Sequence, residues 1–81
     1  MNVKVHMFAR ARDLAGTSAL TVELPEGATV ADLRRRLASL CPALITLLQR
    51  SALAIDNDFA NDSCTLSANS EVALLPPVSG G

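Results

Sequence analysis

The sequence predicts an α+β domain in which one main helix packs on one face of a mixed sheet. Three observations carry this: two early segments with strand alternation, a segment with helical spacing after them, and an apolar strand segment near the C-terminus. At 81 residues the chain is one domain, of a size that buries roughly 60% of the surface its unfolded form exposes. Apolar residues make up 49% and charged residues 19%, so the chain has enough apolar material to fold. Phe8 and Phe59 are its only aromatic residues, which leaves an aliphatic core.

The first segment, "NVKVHMFA", sets Val3, Val5 and Met7 on one side and Lys4, His6 and Phe8 on the other. "SALTVEL" repeats the pattern with Leu20, Val22 and Leu24 against Thr21 and Glu23, and the two read as a hairpin. Their connection, "RARDLAGT", is expected as a loop, with Gly16 supplying a left-handed residue. "PEGAT" breaks the second strand. Thr29 then caps a helix carried by Val30, Leu33, Leu37 and Leu40, with Asp32 in its first turn and an end near Cys41, ahead of Pro42. Pro42 opens a short second helix through "ALITLLQR". A short strand around Leu53 and Ile55 turns at Asp56, Asn57 and Asp58, "SANS" makes another turn, and "EVALL" is the final strand, stopped by Pro76. The simplest closure puts the last strand parallel to the first in the middle of the sheet, as in a β-grasp domain. Residues 1–75 form that domain, and residues 76–81 leave it as a projecting C-terminal tail.

Charge and motifs remove several function classes. A formal net charge of −1 gives no long-range field for phosphate backbones or anionic membranes, so neither nucleic acid nor membrane is an expected partner. The N-terminal "MNVKVHMFARAR" alternates rather than forming a signal-peptide block, and no apolar run approaches the roughly 20 residues of a membrane span, so a cytoplasmic location is expected. Cys41 and Cys64 have no CxxC or His-rich neighbourhood and read as small buried hydrophobes. His6 shares the outward parity of Lys4 and reads as solvent-facing or structurally hydrogen-bonded. Arg34, Arg35 and Arg36 read as a solvated helix face, with docking of an acidic partner surface as the alternative. Asp56, Asp58 and Asp62 lack the glycine and closing Glu of a calcium loop, so no metal is expected. GxGxxG, Walker A and nucleophile-elbow motifs are absent.

Two features remain. If Val72 and Leu74 face the helix, then Ala73 and Leu75 face away, and Leu75 lies near Phe8 on the uncovered face, where Phe59 could join them. That set is either a docking surface or a second small core under "DNDFAND". The other feature is the tail. Six residues, Pro76 to Gly81, reach roughly 20 Å at about 3.3 Å each. Pro76 and Pro77 hold its base extended, Val78 and Ser79 connect, and Gly80 and Gly81 pass through any channel wide enough for backbone. A terminal carboxylate is a poor electrophile, so its chemistry requires activation by another protein, as an acyl adenylate for example.

These segments resemble a known family. "EVALLPPVSGG" and "FARARDLAGT", with "TVADLRRRL" and "AIDNDFA", are similar to the MoaD-like small subunit of molybdopterin synthase, a ubiquitin-like sulfur carrier. The resemblance covers essentially the whole chain, apart from "SANS" where the family commonly has an acidic, Gly-containing turn. It implies that Gly81 is adenylated by a MoeB-like, ubiquitin-activating-type enzyme, becomes a thiocarboxylate, and delivers sulfur to a MoaE-like large subunit that converts cyclic pyranopterin monophosphate to molybdopterin. On that reading the chain is no enzyme by itself and binds no cofactor beyond the covalent adenylate or thiocarboxylate. Gly80 supplies the slim approach, and the family's apolar contact surface falls on Phe8, Phe59 and Leu75. The alternatives are a sulfur carrier for thiamine biosynthesis or tRNA thiolation, a ubiquitin-like modifier of lysines, and a binding module without covalent chemistry.

Overall fold

In the computed structural model, which describes residues 1–77, the alternating first segment is strand β1 (Asn2–Met7) and buries Val3, Val5 and Met7. It pairs antiparallel with β2 (Ala19–Glu23), with Val3 opposite Val22 and Val5 opposite Leu20. The connection between them is not a loop. Ala9–Ala15 form helix α1, which turns Ala11 into the core and rests on the single 3₁₀ turn Pro42–Leu44. Gly16, at φ 75°, ends α1 with its N–H on the Arg12 carbonyl, so its left-handed conformation closes a helix rather than shaping an open loop.

Helix α2 (Val30–Leu40) buries Val30, Leu33 and Leu37 against the sheet. Its start is fully satisfied. The Val30 and Ala31 N–H groups donate to the Cys64 and Asp62 carbonyls, and the Asp32 N–H donates to Thr29 Oγ1. In return the Thr29 N–H donates to the Asp32 carboxylate at 2.9 Å, completing a capping box. Hydrogen bonds from the Thr29 backbone and hydroxyl, then Arg35 beside it, hold the Asp32 carboxyl below its ordinary value of 3.8. Thr29→Ala is expected to destabilise the fold by about 1 kcal/mol, read as a lower Tm. Because the folded-state pKa of Asp32 is depressed, its contribution is complete above 3.8 and fades as pH falls through the lower folded value. On acidification through that window, the urea midpoint of the wild type should therefore drop further than that of Asp32→Asn.

After the 3₁₀ turn and α3 (Ile45–Leu48), strand β3 (Ala52–Ile55) enters the sheet. Asp56 and Asn57, at φ 50° and 73°, form the two-residue turn to β4 (Asp58–Ala60), a conformation that Asp and Asn tolerate. The "SANS" turn is closed by hydroxyls: Ser67 and Ser70 Oγ atoms lie 2.9 Å apart, and Ser70 Oγ also accepts the Ser67 N–H. It delivers β5 (Glu71–Leu75) into the sheet parallel to β1 and antiparallel to β3. The strand order is β2-β1-β5-β3-β4, so the last strand is internal and leaves the sheet at Pro76, as the closure argument expects. The core is aliphatic: Leu33, Leu37, Leu44, Leu53 and Leu74 are fully buried with the valines of β1, β2 and β5. Cys41 and Cys64 are free thiols but only half-buried, packed at the margin of this core rather than inside it.

Candidate docking face and the root of the tail

Cross-strand partners share a face of a sheet, so the register decides what surrounds β5 on the side away from α2. Phe59 lies opposite Ala54, Ala54 opposite Ala73, and Ala73 opposite His6, a row spanning β4, β3, β5 and β1. One step along, Ala52 lies opposite Leu75. Phe8 follows Met7, the partner of Leu74, and so comes beside Leu75. The side chains make a depression of about 400 Å³: the methyl groups of Ala54 and Ala73 leave its floor low, while Phe8, Phe59 and Leu75 bound it. Phe8 is 48% and Phe59 79% exposed, too exposed for a second core under the "DNDFAND" segment.

Phe8 differs from expectation in its backbone. It is not in β1 but is the N-cap residue of α1, in an extended conformation with no side-chain cap, and the next residue, Ala9, has φ 50°. An alanine in this region costs of order 1 kcal/mol or more, so the fold holds the bend after Phe8 against local preference. The polar margin of the depression is His6, Glu71 and Asn57. His6 Nε2 donates to the Glu71 carboxylate at 2.7 Å, the structural hydrogen bond that is one of its two sequence readings.

Leu75 lines this depression, and the two residues that follow it line a second concavity. Pro76 is half-buried and Pro77 exposed, and both line a groove with Ala9, Arg10 and Leu14 of the α1 region and with Ala43, Leu47 and Arg50. Of the tail residues singled out from sequence, Pro76 and Pro77 are therefore at the root, while Val78, Ser79, Gly80 and Gly81 lie outside the described residues.

A model of the family described as ThiS matches residues 5–81, which takes in both faces of the tail root and the tail itself. The chain belongs to the ThiS family. Among similar proteins, the molybdopterin synthase sulfur carrier subunit of Arabidopsis thaliana is 35% identical over 81 residues, covering 100% of this chain and 84% of that protein. The corresponding subunit of Chlamydomonas reinhardtii is 35% identical over 83 residues and matched over 100% of both chains. Among solved structures, SAMP1 of Haloferax volcanii superposes with a TM-score of 0.89 at 27% identity over 100% of both chains.

In this ThiS-family chain the arginine run divides by role. Arg34 is not part of a solvated face. Its Nε donates to Asp62 Oδ1 at 2.9 Å, and its guanidinium reaches the Leu48 and Ser51 carbonyls, tying α2 to the end of α3 and the start of β3. Arg35 pairs with Asp32 along the helix, and Arg36 is exposed. The turn carboxylates also have structural partners: Asp56 Oδ1 accepts the Glu71 N–H, fixing the start of β5 against the β3–β4 turn. Among the described residues no three His, Cys, Asp or Glu side chains converge as a metal site, and no helix is long and apolar enough to cross a membrane.

Proposed function

We infer that this chain is the sulfur carrier subunit of a molybdopterin synthase, with Gly81 as the acyl group that holds sulfur and the Phe8, Phe59 and Leu75 face as its docking surface. The observation that carries the reading is full-length similarity to proteins of that name, from first residue to last, with Gly80 and Gly81 inside the family match. The physical layout supports it. An internal strand anchored on both sides makes a rigid base for a slim tail, and the exposed rings beside its root offer apolar area to a protein that takes the tail in.

The chemistry follows from the carboxylate. A MoeB-like adenylating enzyme joins the Gly81 carboxylate to the α-phosphorus of ATP, with loss of pyrophosphate. A sulfide-level sulfur then attacks the acyl carbon, and AMP leaves with the C–O bond electrons. The resulting thiocarboxylate is nucleophilic at neutral pH. In the MoaE-like large subunit its sulfur forms a C–S bond to a side-chain carbon of the pterin precursor as a C–O bond at that carbon breaks and the oxygen leaves. Hydrolysis of the acyl–sulfur bond restores the Gly81 carboxylate, and a second carrier repeats the step to supply the second sulfur. This chain positions the group, whereas the base, the oxyanion donors and the pterin pocket belong to partners.

The test is complementation. A host lacking its own small subunit should regain molybdenum-enzyme activity when given this chain. Growth of a thiamine-carrier or tRNA-thiolation mutant instead, with no rescue of the molybdenum enzyme, would overturn the pathway assignment. A second reading is favoured by the likeness to SAMP1, a small archaeal modifier protein: attack on the adenylate by a lysine amine, giving an isopeptide. Lys4 is the sole lysine of the sequence, so conjugates between copies would have to join Gly81 to Lys4.

A further inference from the structure

The groove on the other side of the tail root has a chemistry unlike the apolar face. Its walls are α1 and the Ala43–Arg50 segment, its floor runs to Pro76 and Pro77, and its volume is about 630 Å³. Leu14 and Leu47 make it apolar at the base, while Arg10 and Arg50, both exposed, stand on its rim. Neither guanidinium is paired with a carboxylate among the described residues, although the chain carries eight acidic side chains and a net charge of −1. The acidic groups that are engaged lie elsewhere, on Arg34, Arg35 and His6. Two unneutralised guanidiniums thus stand on the rim of the groove that Pro76 and Pro77 line.

We propose that the Arg10–Arg50 groove docks an acidic, carboxylate-bearing segment of the protein that receives the tail, so that the tail root is gripped on its apolar side by Phe8, Phe59 and Leu75 and on its basic side by the two arginines. The inference rests on the sulfur-carrier reading. Pro76 and Pro77 line the groove, so a protein that closes around the tail covers it too. Two guanidiniums taken out of water are costly unless acceptors stand opposite them, carboxylates being the ones that also match their charge. Guanidinium forks suit that pairing, being planar, always charged and weakly hydrated. The two grips are mechanically joined, because Phe8 and Arg10 flank Ala9, whose left-handed φ of 50° fixes the angle between them.

The test uses the full chain and the purified large subunit, with Kd measured by calorimetry at low and at moderate salt. Arg10→Glu and Arg50→Glu should each weaken binding by about tenfold or more at low salt, and should flatten the salt dependence seen with the wild type. Arg50→Lys should retain part of the affinity. Arg36→Glu is the control, since it makes the same change in net charge on exposed surface outside the groove. Equal weakening by Arg36→Glu, or wild-type affinity in both groove variants, would overturn the proposal. Because Phe59→Asp reports the apolar side alone, its loss of binding beside intact groove variants would sink this inference and leave the sulfur-carrier reading in place. Circular-dichroism melts of all variants should coincide with the wild type, Arg10 and Arg50 being exposed and without a structural partner among the described residues.

Discussion

Deletion of Gly81 is expected to abolish sulfur transfer while the domain melts at the wild-type temperature. The separation follows from the layout: among the described residues the core closes with Val72 and Leu74, and β5 ends at Leu75, six positions before Gly81. A Gly81→Val variant should retain the carboxylate but lose most of the rate. A branched side chain at the acyl position would crowd the nucleophile's approach and would not pass a channel of the proposed kind, wide enough only for backbone. Reconstituted synthase assays with each variant, beside thermal melts, read both quantities. Full turnover by the deleted form would remove Gly81 from the chemistry, and a lowered Tm would make the loss a folding effect.

The second large effect concerns docking. Phe59→Asp or Phe8→Asp should weaken binding to the large subunit by about 3 kcal/mol, on the order of a hundredfold in Kd, the range of a buried interface anchor. Both rings are exposed in the isolated chain, so the substitutions cost the fold little, and Phe59 at 79% exposure is the cleaner probe. Ala73→Leu offers a complementary route. It fills the floor of the depression between the rings without adding charge, and should reduce affinity by shape alone. Calorimetry showing unchanged affinity for all three would place the interface elsewhere.

Why this face was legible before the structure, while its neighbour was not, is a matter of range. Parity along a strand is local: with Val72 and Leu74 buried on β5, Leu75 turns to the other side by alternation, and Phe8 continues the alternation set by Val3, Val5 and Met7 one residue past the end of β1. The register only adds that Ala54 and Ala73 meet between the rings. Helix α2 was equally plain, because Thr29, Asp32 and four leucine or valine positions agree on it. Helix α1 was hidden. Its seven residues contribute a buried Ala11 and a half-buried Leu14, it lacks a polar cap, and it begins on a left-handed alanine, so its strongest local signal is Gly16 at its end. Without α1 the Arg10–Arg50 groove cannot be drawn, since it forms only when that helix rests on the segment after Pro42. Arg34 illustrates the same limit: three adjacent arginines look alike in sequence, and only tertiary contact with Asp62, Leu48 and Ser51 separates the clamp from its exposed neighbours.

The most direct measurement is the intact mass of the chain after incubation with a MoeB-like adenylating enzyme, ATP and a sulfur donor, followed by fragmentation. The expected result is a gain equal to the difference between one sulfur and one oxygen atom, located on the fragment containing Gly81. An unchanged mass with ATP consumed, or the appearance instead of isopeptide-linked species, would contradict it.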